Sequence, residues 1–166
     1  MSEATFSLRV AAPDDARKVS DVLSASYSAL YPGWYRDDVL ARALPAMTRA
    51  RPELLASGRY FLCERGRRAV ACGGWSLAPP QGAGEAGRGH LRHFGTHPDF
   101  LGQGCASAIA ERCFAEARAA DCTEMEVLSS LTAEAFYAGR GFKTVSAAAA
   151  TIGGVPFACM LMRRKL

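Results

Sequence analysis

The sequence predicts one mixed α/β domain, with a sheet whose neighbouring strands are mostly antiparallel and a single helical crossover. Three observations carry this. Two pairs of β-rich runs flank tight turns, one at "ERGRR" around Gly66 and one at Gly153-Gly154. Two stretches, Ala16 to Leu30 and Ala106 to Ala117, set apolar residues at helical spacing. One strand, "GHLRHFGT", ends in a glycine-rich turn that leads straight into the second of these helices.

The elements follow in order. "FSLRVAAPDDA" alternates as a strand and then meets Pro13 and two acids, the composition of a helix start. Ala16, Val19, Leu23, Tyr27 and Leu30 give that helix one apolar face, and "YPGW" stops it. A second helical region is expected from Asp37 to about Leu55, broken near Pro45 and Pro52. The hairpin "RYFLCERGRRAVACGGWSL" comes next, then a loop with Pro79 and Pro80, then the strand "GHLRHFGT". The helix through Ile109, Cys113 and Phe114 leads to the strand "TEMEVLSS", with Met125 and Val127 on one side. "TAEAFYAGRGF" is a short helix, with Thr132 as its expected cap and Gly139 or Gly141 as its end. The glycine hairpin closes an order of β α α β β β α β α β β.

A chain of 166 residues, nearly half of them apolar, can bury one sizeable core, so residues 1–166 are read as a single domain ordered beyond the first few residues. The net charge of +4 is modest, and its clusters, Arg65 with Arg67 and Arg68 and Arg163 to Lys165, fall at a turn and at the C-terminus. That pattern argues against nucleic acid as a partner and suits a small polyanionic ligand. Six cysteines form no CxxC pair, and "MSEATFSLRV" lacks the regions of a signal peptide; reduced, mostly buried thiols in a cytoplasmic protein are expected. The uncharged stretch from Thr144 to Met162 approaches the length of a membrane span, but Gly153, Gly154 and Pro156 interrupt it, so no membrane association is read.

The glycine-rich turn before the long helix has a physical consequence. A helix start leaves backbone N–H groups unpaired and aimed at one point, where the helix dipole adds positive charge. Gly102 and Gly104 remove side chains that would block approach, and Ala106 keeps the first turn small, so the turn reads as an anion site. No Gly-Lys-Ser/Thr follows the glycines, and no GxGxxG follows the first strand, so neither nucleotide fingerprint applies.

"THPDFLGQGCA", followed by a helix, a strand and "SSLTAEAFYAGRGF", resembles the GNAT superfamily of acyl-CoA-dependent N-acyltransferases. The family's phosphate loop, Q/R-x-x-G-x-G/A, aligns with Leu101-Gly102-Gln103-Gly104-Cys105-Ala106, and its later signature with Phe136-Tyr137 and Gly141-Phe142. Leu101 departs from the pattern and removes a side-chain donor from the loop, leaving the backbone amides. The resemblance implies a GNAT fold, with a mixed, mostly antiparallel sheet of about seven strands flanked by about four helices. It implies acetyl-CoA as acyl donor, held by the loop, by backbone at Phe94, Gly95 and Thr96, and by Ser130 and Phe136. It also implies direct transfer to a primary amine in a ternary complex, with Tyr137 as general acid.

An unperturbed phenol near pKa ~10 stays protonated at neutral pH and can protonate a leaving thiolate. The resemblance implies a base at the start of the fourth strand, where the family often has a carboxylate and this chain has His90, and an imidazole near ~6.5 can take a proton there. Glu126, His93 or water are the rivals, and strand alternation is expected to put His93 on the face opposite His90. Cys105 and Cys113 read as small packing residues in preference to acyl carriers. Tyr27, Tyr31, Trp34 and Tyr35, with Trp75, are candidates for an aromatic wall on the acceptor side or for core. The acceptor is expected to be a small-molecule or peptide amine. Two other readings stay open: a non-catalytic acyl-CoA sensor, and acylation of a protein N-terminus, lysine or aminoacyl-tRNA. The apolar run from Val145 to Met162 permits a homodimer.

Overall fold

A computed structural model describes residues 5–166; the first few residues, excepted above from the ordered domain, lie in part outside it. One seven-stranded sheet forms the centre, in the order β1 (Phe6–Val10), β2 (Tyr60–Arg65), β3 (Arg68–Ser76), β4 (Arg88–Thr96), β5 (Glu124–Ser130), β7 (Val155–Lys165), β6 (Lys143–Ile152). Every neighbouring pair is antiparallel except β4 and β5, which run parallel. The connection between those two is the long helix α4 (Cys105–Ala119), the single crossover expected from the strand order.

The turns form where glycine permits them. Gly153 and Gly154 both have positive φ, 59° and 77°, as a two-residue turn matched to strand twist requires. Gly141, at φ 90°, ends the short helix α5 (Glu134–Gly139): the Phe142 N–H reaches the Tyr137 carbonyl, and the Gly141 N–H that of Ala138. This paired closure satisfies two carbonyls of the last turn. Its apolar partner is also present, since the Tyr137 and Phe142 rings meet edge to face at 5.6 Å.

The core lies on both faces of the sheet. On one, α4 buries Ile109, Ala110, Cys113, Phe114 and Ala117 against Trp75, Leu91, Met125 and Val127. On the other, α1 (Ala16–Leu30) buries Val19, Val22, Leu23 and Tyr27 with Tyr60, Leu62 and Cys72. All six cysteines are buried and unbridged, and burial pushes the Cys72 thiol up to about 12. Among the described residues no helix is long and apolar enough to cross a membrane.

The described residues form five α-helices, the region after Asp37 dividing into α2 (Asp37–Met47) and α3 (Pro52–Leu55). Three expectations need correction. Pro45 lies within α2, two residues from its end, where the exposed Ala41 carbonyl that would have bonded its N–H can be solvated. Thr132 does not cap α5; the Ala133 N–H is taken by Ser130 Oγ at 3.2 Å, and Thr132 Oγ1 is buried with no hydrogen-bond partner. Finally, β4 does not alternate throughout. A bulge shifts the β3–β4 register between Cys72 and Gly74, and His93 takes φ 56°. The added residue places His93 on the α1 side, against Tyr27 and Tyr60, the same side as His90.

Candidate active site

The sheet opens at its centre. β4 and β5 pair only through Arg88, Gly89 and His90 against Glu124, Met125 and Glu126, and beyond those residues the strands carry no further mutual pairing. A cavity of about 480 Å³ fills the gap, bounded by β4 from Leu91 to Thr96 and by Val127, Leu128 and Ser130 of β5. At one end is the glycine turn. Gly102 and Gly104 have φ 71° and 85°, left-handed values that side chains disfavour, and a Cβ at either would meet nothing within 4 Å. The backbone is therefore bare toward open space at the head of a 15-residue helix, which fits a phosphate-bearing ligand.

Every residue expected to hold the donor lines this cavity: Phe94, Gly95 and Thr96; Leu101, Gly102, Gln103, Gly104, Cys105 and Ala106; and Ser130 and Phe136. Tyr137 lines it as well. Its ring stands edge to face with Phe94 at 6.2 Å and Phe136 at 5.1 Å, and burial raises its pKa above the ordinary phenol value, so the hydroxyl stays protonated. Leu101 is 48% exposed at the rim.

The strand bulge is held from the α1 side. The Tyr27 hydroxyl donates to the Phe94 carbonyl and the Tyr60 hydroxyl to the His93 carbonyl, each at 2.6 Å. Both phenols are buried, and burial drives their pKa values well up, so they remain donors. Ser26 Oγ accepts from the Thr96 N–H at 3.3 Å. At Gly95 a Cβ would lie 3.0 Å from Leu23 Cδ2, a tight contact that the leucine side chain would have to yield to.

The candidate bases separate. His93 lines the cavity, donates from Nε2 to the Met47 carbonyl at 2.6 Å, and leaves Nδ1 as a buried, unpartnered acceptor. Desolvation lowers its pKa to about 4, so it is neutral at pH 7. His90 is buried beside the cavity without lining it, with Nδ1 3.4 Å from Glu126 and Nε2 unpartnered. Burial lowers its pKa too, against the opposing pull of Glu126. Glu126 itself is held by Arg163 at 2.8 Å and Arg88 at 3.6 Å, also away from the cavity.

Of the aromatic candidates, Tyr27 and Tyr31 line the cavity, stacked at 4.6 Å. Tyr35 stacks on Phe157 at 4.2 Å, and its hydroxyl donates to the Ala158 carbonyl while accepting from the Leu131 N–H, which ties the α1–α2 loop to β7. Trp34 is 56% exposed. Trp75 sits in the α4-side core and donates to Glu116 at 3.1 Å. The lining residues that sequence reasoning did not assign to the site include Arg51, Arg92 and Thr132. Only Arg92 carried a local signal, a charge inside the strand that leads to the turn.

The comparisons agree with this architecture. Over its whole length the chain is similar to a GCN5-related N-acetyltransferase from Rhodopseudomonas palustris, with a TM-score of 0.82, 22% identity, and 100% and 99% of the two chains covered. It is also similar to the PaiA N-acetyltransferase from Thermoplasma acidophilum in complex with coenzyme A, with a TM-score of 0.73, 12% identity, and 98% and 99% covered. A GNAT family acetyltransferase from Brucella melitensis in complex with acetyl-CoA aligns with a TM-score of 0.58, 20% identity, and 95% and 88% covered. Comparison with curated protein sequences finds no match. The model of the acetyltransferase (GNAT) family matches residues 20–142, which span most of α1, the split strands, the glycine turn and the short helix bearing Tyr137. The chain belongs to the acetyltransferase (GNAT) family.

Proposed function

We propose that the protein transfers an acetyl group from acetyl-CoA to a primary amine by direct attack within a ternary complex. One observation carries the reading: a single cavity joins the bare glycine turn heading α4 to Tyr137 and, through the β4–β5 gap, to the side chains of the α1 face. Acetyl-CoA supplies the thioester as the acyl-donor substrate. The amides around Gly102 to Ala106 hold its phosphates, and the backbone at Phe94 to Thr96 lies alongside the arm. In the transfer the amine nitrogen forms the new N–C bond as the C–S bond breaks, the nitrogen sheds one proton, and the thiolate takes one.

Tyr137 donates the proton that the thiolate takes and regains one from solvent, so the phenol ends as it began. Burial keeps its phenol protonated, and it lies against Phe94, on the strand edge that borders the gap. For the amine, the cavity favours His93 over His90. Its imidazole lines the cavity, is neutral at pH 7 and is fixed by the Nε2–H on the Met47 carbonyl, while solvent carries the amine's proton away. A second reading, acyl-CoA binding without turnover, is favoured by the absence of any carboxylate from the cavity lining among the described residues.

Thiol release from acetyl-CoA against amines, polyamines, amino acids and peptides separates the two. The transferase reading expects turnover on one class of acceptor, reduced about 100-fold or more in Tyr137→Phe with CoA affinity retained. Intact CoA binding with no turnover on any class would favour the binding protein.

A further inference from the structure

The described residues that line the cavity include two charged side chains, Arg51 and Arg92, and no Asp or Glu. Arg92 lies on β4 opposite Gly74 and next to the bulge. It is half-buried, and its Nη1 donates to Ser76 Oγ at 3.0 Å. Arg51 precedes α3 and meets Glu53 only at 3.9 Å, with both side chains more than half exposed. Burial, with Arg51 as a like charge, depresses the pKa of Arg92 against an opposing pull from Glu53. Two like charges held at one wall of the cavity, with no carboxylate in its lining and Glu53 more than half exposed beside Arg51, favour an anion there. A guanidinium fork matches the paired oxygens of a carboxylate or phosphate.

Their position separates them from the phosphate-binding turn. Arg92 shares a sheet face with His90 and His93, the α1 side, whereas the glycine turn heads α4, which packs on the opposite face. The α1-side end of the cavity also contains Met47, Ile152 and Phe157, an apolar surround in which an ion pair is poorly screened.

We propose that the acceptor is a small primary amine that also carries an anionic group, a carboxylate or a phosphate, which Arg51 and Arg92 hold while the amine faces the β4–β5 gap. This rests on the transferase reading above. The arginines then act as specificity determinants: they bind the end of the acceptor that does not react and fix the direction of its amine. A cationic polyamine would bring like charge to the same wall, which opposes its binding.

The test uses the full chain with acetyl-CoA and matched acceptors: amino acids, their amides and their decarboxylated amines, with phosphoethanolamine against ethanolamine for the phosphate arm. For at least one set, the anionic member should exceed its neutral counterpart about tenfold or more in kcat/KM. Arg92→Gln and Arg51→Gln should each raise the KM for that acceptor about tenfold, with the Kd for CoA unchanged by calorimetry. Preference for neutral or cationic amines would overturn the choice of acceptor and leave the transferase intact. So would variants that weaken CoA binding and spare the acceptor KM. Absence of thiol release with every amine tested, from protein that binds CoA, would overturn the transferase reading and this inference with it.

Discussion

The buried hydroxyl of Tyr27, on α1, donates to the carbonyl of Phe94 at 2.6 Å and so ties a helix on one face of the sheet to the strand edge that borders the cavity. Phe94 lies beside the left-handed residue of the β4 bulge, and its ring meets Tyr137 on the other face. One hydrogen bond thus links the shape of the strand to the position of the candidate acid.

Tyr27→Phe removes that donor and leaves the Phe94 carbonyl without this partner. A loss of about 1 to 2 kcal/mol in urea unfolding is expected, since the ring still packs. Turnover should fall as well, because the carbonyl no longer fixes the bulge. Unchanged stability together with unchanged kcat would show that the bulge is held without Tyr27.

The pH dependence of stability follows from His93. Its pKa is about 4 in the folded chain and near ~6.5 when unfolded, so between those values the unfolded state binds the extra proton. Stability from this group is present above pH ~6.5 and lost as the pH falls toward 4, on the order of 3 kcal/mol in all. His90 shifts in the same direction. Asp15, held near 2 by Arg9, acts only at lower pH, below the ordinary carboxylate range. His93→Asn, which tolerates the left-handed backbone, should flatten the slope of denaturant midpoint against pH between 6.5 and 4. An equally steep slope in the variant would place the titrating group elsewhere.

Leu101 stands where the family's loop carries Gln or Arg, and it is exposed at the cavity rim. Leu101→Arg should tighten CoA binding by about 3- to 10-fold, and more at low salt, because a cation joins the backbone donors around a polyphosphate. Measured by calorimetry, an affinity that does not change would mean that the loop binds through its backbone alone.

At the β6–β7 turn, Gly153 packs against α2. A Cβ there would fall 2.0 Å from the Arg42 carbonyl oxygen, and its φ of 59° disfavours any side chain. Gly153→Ala should therefore cost roughly 2 to 4 kcal/mol by denaturation, where an open glycine turn would cost much less. A loss below about 1 kcal/mol would mean that α2 and the hairpin shift apart readily.

What could be read from the chain alone was whatever local chemistry decides. Gly66, Gly141, Gly153 and Gly154 mark turns because positive φ favours glycine wherever it occurs, and all four have it. The seven strands and the crossover helix α4 follow from periodicity. The bulge at His93 carries no such mark. It is a non-glycine residue in a left-handed conformation, held by Tyr27, Tyr60 and Met47 from distant parts of the chain, and one extra residue reversed the inferred face. The failure at Thr132 has a related origin, since the nearby Ser130 hydroxyl takes the bond that a capping residue would make. Arg51 and Arg92 come together only through folding, so neither residue type nor spacing could pair them.

The central claim is that the turn from Leu101 to Ala106 binds the phosphates of a CoA donor. Isothermal titration of CoA into the wild-type chain and into Gly104→Val tests it most directly, because Gly104 has φ 85° and a Cβ there enters open space, where a ligand would lie. One site of micromolar affinity or tighter is expected in the wild type, weakened at least tenfold in the variant, with the fold of the variant checked by circular dichroism. No measurable heat with the wild type, or equal affinity in a folded variant, would contradict it.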